Sequence, residues 1–141
     1  MEAAETEGGI PKVGFVVYDY SNAFMSYVRK GIENYAQGKL DLEQDIRTYL
    51  PDDFFHNLNY DQPITMLNLM NHTGGWGENV WSLETDDPNN VPTLEEALQS
   101  TEPAQLFSPG ETSSYSNWGA ALAGFIVERI SGESFADYAH Q

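Results

Sequence analysis

The sequence predicts a mainly α-helical fold, and three observations carry that expectation. Apolar residues recur at helical spacing in two segments: Phe24, Val28, Ile32 and Tyr35 in the first, and Trp118, Leu122, Phe125, Ile126 and Ile130 in the second. Only Val13–Tyr18 (VGFVVY) has the β-branched and aromatic composition of a buried strand. Long irregular stretches rich in Asp, Asn, Ser and Pro, Glu84–Pro92 and Pro103–Ser114, separate the elements, more loop than a complete compact domain of this size needs.

Taken in order, the first helix is expected over Asn22–Gln37, with Ser21-Asn22 as its cap and Gly38-Lys39 as its stop. Asp41 is placed to cap a short turn through Leu42, Ile46 and Leu50, ended by Pro51. Pro63 opens a helix that turns Met66, Leu67 and Met70 toward the core, and Asn71-His72-Thr73-Gly74-Gly75 breaks it. Thr93 and Glu96 have the spacing of a capping box for a helix holding Leu94, Ala97 and Leu98. Pro109-Gly110 marks a turn. The longest of the later helices spans Ser116–Ile130, with Gly132 at its C-terminal end. Ser134–Gln141 starts another, with Phe135 and Tyr138 on one side. Because the chain stops inside that helix, the sequence is expected to be the middle of a larger domain.

Composition narrows the function classes. The 141 residues include 22 acidic and 6 basic side chains, a formal net charge of −16. Such an excess repels nucleic acid and anionic lipid. No lysine or arginine occurs from Thr48 to Glu128, while twelve acids do; this stretch reads as a solvated acidic face, a cation-attracting cleft, or half of a larger surface. Cysteine is absent, which removes disulfides, thiolate metal sites and cysteine nucleophiles. His56, His72 and His140 lack paired ligand spacing, and the acidic loop Glu84–Asn90 lacks the EF-hand pattern, so no metal and no cofactor is expected. No apolar run is long enough to span a bilayer. Met1–Gly9 (MEAAETEGG) has neither the basic nor the apolar region of a secretory signal, so the chain as written carries no signal peptide.

Four collinear segments carry a resemblance: Gly38-Lys39-Leu40-Asp41-Leu42 with Tyr49-Leu50-Pro51; Ile64 to Gly75 (ITMLNLMNHTGG); Phe107-Ser108-Pro109-Gly110-Glu111 leading to Tyr115-Ser116-Asn117; and Ile126 to Gly132 with Ser134-Phe135. Over about residues 38–141 these resemble the serine β-lactamase and penicillin-binding-protein-like hydrolases, in particular the class C-like branch. The resemblance implies the helical subdomain of the β-lactamase/transpeptidase-like α/β (α+β) fold, with most of the antiparallel sheet absent. It also divides the chain into an acidic N-terminal tail, 1–12, and a partial β-lactamase-like domain, 13–141, truncated at its C-terminus.

That family performs acyl transfer. A serine, activated by a base because its hydroxyl alone is a poor nucleophile, attacks an amide or ester carbonyl and forms an acyl-enzyme. The family places Ser-x-x-Lys on the first turn of a helix, so that serine and lysine share one face. By resemblance Tyr115 is the general base and Asn117 the substrate binder of its Tyr-x-Asn loop, and His72 is the structural histidine of a turn that ends a helix and braces the cleft. Read without the family, Tyr115-Ser116-Asn117 is a helix start with Ser116 or Asn117 as cap. Counting back from Gly38 by the family's interval gives Ser21 as the nucleophile position, but Phe24 stands where the lysine belongs. A shift to Ser26 brings Arg29, which stays protonated and cannot serve as a base. The third motif, on a strand, finds no counterpart before Gln141. The expectation is therefore a truncated relative of a serine hydrolase that is not active alone, or else an inactive helical module binding peptide or cell-wall ligands, or half of a split enzyme. Its partners would be a small molecule or peptide with an amide or ester carbonyl, and a second copy through an exposed apolar face. Members of this family are often exported or associated with the cell envelope.

Overall fold

A computed structural model describes residues 38–78 and 89–139 of the chain. Among these the elements are a 3₁₀ turn, Ile46–Tyr49, and four helices: α1, Met66–Met70; α2, Leu94–Ser100; α3, Asn117–Ser131; and α4, Phe135–Ala139. The described part is thus mainly helical, and its β pairing is limited to two isolated antiparallel bridges, Asp45 with Thr65 and Trp76 with Gln105. The acidic tail 1–12, the strand expected at Val13–Tyr18, Ser21 and the helix expected at Asn22–Gln37 all lie outside the described residues, as do the loop from Glu84 to Pro88 and His140.

α3 is the centre of the packing. Its first turn begins at Ser116, whose side chain accepts from the Gly119 N–H at 3.0 Å, and it ends at Gly132, left-handed at φ 77°. Between these caps Trp118–Ala120 and Leu122–Val127 are all buried. A helix apolar on nearly every side must be surrounded, and α3 contacts α1, α2, α4 and the 3₁₀ turn. The stripe read from sequence was narrower than this, and its last member, Ile130, is only half-buried. Trp118 Nε1 donates to the Leu98 carbonyl at 3.0 Å, tying α2 to α3, and Arg129 Nε donates to the Tyr49 carbonyl at 2.8 Å, tying the far end of α3 to the 3₁₀ turn.

Two local expectations are corrected. Asp45, not Asp41, caps the turn before Ile46, accepting from the Arg47 N–H at 3.1 Å. The Asp41 carboxylate instead accepts from the Glu43 N–H at 2.9 Å, a tight local turn that competes with helix formation. Likewise Pro63 does not open α1. Thr65 caps it in a reciprocal box with Asn68, which rotates the short helix so that Met66 and Leu69 are buried while Leu67 and Met70 are half-buried. The capping box between Thr93 and Glu96 forms as the spacing predicts.

Candidate functional site

The segment His72–Gly77 runs between two loops and is laced to both. On one side the Gly75 carbonyl accepts from the Leu106 and Phe107 N–H groups at 2.7 and 3.1 Å, and the Thr73 carbonyl accepts from Gly110 N–H at 2.7 Å. On the other side the His72 carbonyl accepts from Ser114 N–H at 2.8 Å, and the Trp76 carbonyl accepts from the Ser114 hydroxyl at 3.2 Å. Glycine is required at position 75: its φ is 93°, and a Cβ there would run into the Phe107 carbonyl oxygen. Ser108-Pro109-Gly110-Glu111 closes as a turn, with Gly110 at φ 83° and Glu111 N–H donating to the Ser108 carbonyl at 3.0 Å.

These contacts bring three of the predicted site residues together. His72 sits in the left-handed region at φ 54°, just after α1 ends. Its Nδ1 accepts from the Ser116 N–H at 3.3 Å, and its ring lies 4.5 Å from the Tyr115 ring, tilted by 36°. An accepting Nδ1 requires the neutral ring with its proton on Nε2. Burial pushes the His72 pKa down from its ordinary value, and the nearby Glu78 carboxylate opposes that shift. Tyr115 is exposed, and its hydroxyl donates to Asn117 Oδ1 at 3.1 Å. That bond occupies the amide oxygen and leaves the Asn117 N–H groups of the side chain without a protein partner among the described residues. The Asn117 backbone N–H, at the first turn of α3, donates to Glu78 Oε2 at 2.9 Å. Ser116 is the N-cap, so the helix-start reading and the motif reading describe the same residues. Ser21 cannot be placed against this group.

Sequence reasoning missed Gln105. It is 1% exposed and clamps three segments: Oε1 accepts from the Asn59 and Tyr60 N–H groups, each at 3.2 Å, and Nε2 donates to the Gly74 carbonyl at 3.1 Å. A buried amide with its hydrogen bonds filled holds the Gly74-Gly75 segment that follows His72 in place. Nothing in its sequence neighbourhood marks a polar residue as buried. Trp76 is core: it is 1% exposed and packs against Phe55 and Trp118. Among the described residues, no three acidic or histidine side chains gather as a metal site.

The Beta-lactamase family model matches residues 34–141. The chain belongs to the β-lactamase family. Solved structures share the fold. A penicillin-binding protein homologue from Pyrococcus abyssi, itself octameric, aligns with a TM-score of 0.62 at 20% identity, covering 92% of this chain and 29% of its own. A D-stereospecific amidohydrolase from Streptomyces sp. aligns at 0.65 and 22% identity, covering 92% and 39%. A penicillin binding protein from Bacillus halodurans aligns at 0.58 and 25% identity, covering 84% and 35%. The chain therefore spans about a third of the length of the structures it matches. Its helices are the helical subdomain of the β-lactamase fold, and the family is one of hydrolases. Among the described residues no helix is long and apolar enough to cross a membrane.

Proposed function

We propose that this β-lactamase-family chain supplies one wall of an acyl-transfer cleft and binds an amide or ester carbonyl there without turning it over alone. The observation that carries the reading is the Tyr115–Asn117 hydrogen bond of 3.1 Å at the start of α3, braced from below by His72. Asn117 would offer its amide N–H groups to a substrate carbonyl, and the exposed Tyr115 oxygen would relay a proton as general base. On this reading His72 stands outside that relay, and its Nδ1 accepts from the Ser116 N–H. It is a positioning residue that fixes the Tyr115 ring.

Ser21 is the nucleophile position on this reading, and Phe24 one turn later provides no base. Ligand binding without chemistry is the second reading, and Phe24 favours it. The division into an acidic tail, 1–12, and a family domain from residue 13, and self-association through an apolar face, belong to the same proposal. The D-stereospecific amidohydrolase with the shared fold supports an amide as the bound group. The test is incubation with a chromogenic cephalosporin and with p-nitrophenyl acetate, followed by intact-mass measurement. Neither turnover nor an acyl adduct is expected. An adduct lost in Ser21→Ala would overturn the inactive reading.

A further inference from the structure

The candidate site carries a negative charge that the acyl-transfer chemistry does not call for. We propose that Glu78 selects ligands bearing a positive charge next to the carbonyl bound by Asn117. This rests on the reading of Tyr115 and Asn117 as a ligand-binding wall, and adds to it the class of ligand. Glu78 Oε2 is 2.9 Å from the Asn117 backbone nitrogen, so the carboxylate is anchored beside the residue that takes the carbonyl. The side chain is exposed, and its second oxygen has no protein partner among the described residues. Among the described residues no lysine or arginine is in contact with it, and the stretch from Thr48 to Glu128, which supplies the whole described site, contains none. The Glu78 carboxylate also pulls the His72 pKa upward, against the effect of burial.

Two electrostatic effects must be separated. The net charge of −16 attracts any cation to the whole surface. That field is screened beyond about 8 Å at physiological salt, whereas a carboxylate held against the ligand is screened much less. Glu78 also accepts a hydrogen bond at the positive end of α3, so a purely structural role as helix anchor must be excluded. Glu78→Gln makes that separation, since the amide oxygen keeps the Asn117 bond and only the charge is lost.

The experiment measures dissociation constants by tryptophan fluorescence, in 0.15 M salt at pH 7, for three amides that differ only at the amine. These are phenylalaninamide (cationic), N-acetylphenylalaninamide (neutral) and N-succinylphenylalaninamide (anionic). The cation is expected to bind about fivefold more tightly than the anion, the size of a partly exposed ion pair and its like-charge counterpart together. In Glu78→Gln the three constants should converge, with the melting temperature unchanged. In Glu133→Gln, which removes the same charge beyond the far end of α3, about 20 Å away, the preference should persist. A preference that survives in Glu78→Gln, or equal constants in the unaltered protein, overturns the proposal while leaving the binding wall standing. Loss of neutral-amide binding in Asn117→Ala supports that wall independently. Failure of all three amides to bind the unaltered protein overturns the reading of the wall and the selectivity with it.

Discussion

The body of α3 and the approach to its first turn are built to opposite requirements. From Leu122 to Val127 every residue is buried, and just beyond this stretch Arg129 ties the helix to the Tyr49 carbonyl. At the N-terminal end Tyr115 is exposed, His72 sits at positive φ, and Asn117 and Glu78 meet at the surface. One helix thus anchors the fold with its body and carries the candidate site at its start. The site end tolerates exposed aromatic surface and backbone strain because the buried body over-determines the helix position. Mutations in the body and around the start should therefore separate stability from binding.

The largest effect is expected in the buried half. Leu122→Ala, at a residue with 0% exposure, should lower the unfolding free energy by about 2–5 kcal/mol in urea titration. Next comes Gly75→Ala, which joins a positive φ to a collision with the Phe107 carbonyl. A loss of about 2 kcal/mol is expected there, together with loss of amide binding, since the segment that carries His72 must shift. A smaller, pH-dependent effect belongs to His72. Its folded pKa lies below the ordinary 6.5, so the unfolded chain takes up the proton more readily. The stability it contributes is complete above about pH 6.5 and falls as the pH drops from there toward the folded value. Protonation would also remove the acceptor for the Ser116 N–H. The urea midpoint should fall between pH 7 and pH 5, and His72→Asn, which tolerates the left-handed backbone, should flatten that part of the profile. The smallest stability change, within about 0.5 kcal/mol, is expected for Asn117→Ala, a half-buried residue whose side chain bonds only to Tyr115.

The same contrast explains what the sequence revealed. α3 was legible from both caps and from its stripe, and so was the Thr93–Glu96 box, because local spacing and apolar periodicity determine them. The rotation of α1 was not legible: in a helix of five residues the Thr65–Asn68 box, rather than periodicity, decides that Leu69 and not Leu67 is buried. Asp41 and Asp45 are equally good caps by residue type, and the choice falls to Asp45 where the Asp45–Thr65 bridge and the Ile46 N–H to Ile64 carbonyl bond fix the chain. Gln105 owes its role to segments distant in sequence, Asn59, Tyr60 and Gly74, which no local pattern announces. Tyr115 and Asn117 stood out only through the family resemblance, since as isolated residues they read as the start of a helix.

The central claim is that Tyr115 and Asn117, braced by His72, form a wall that binds a carbonyl. The most direct test is titration of the unaltered protein and of Asn117→Ala with N-acetylphenylalaninamide, read by tryptophan fluorescence beside a thermal melt. Saturable binding that disappears in Asn117→Ala, with the melting temperature unchanged, is the predicted result. Equal binding by both proteins would contradict the account.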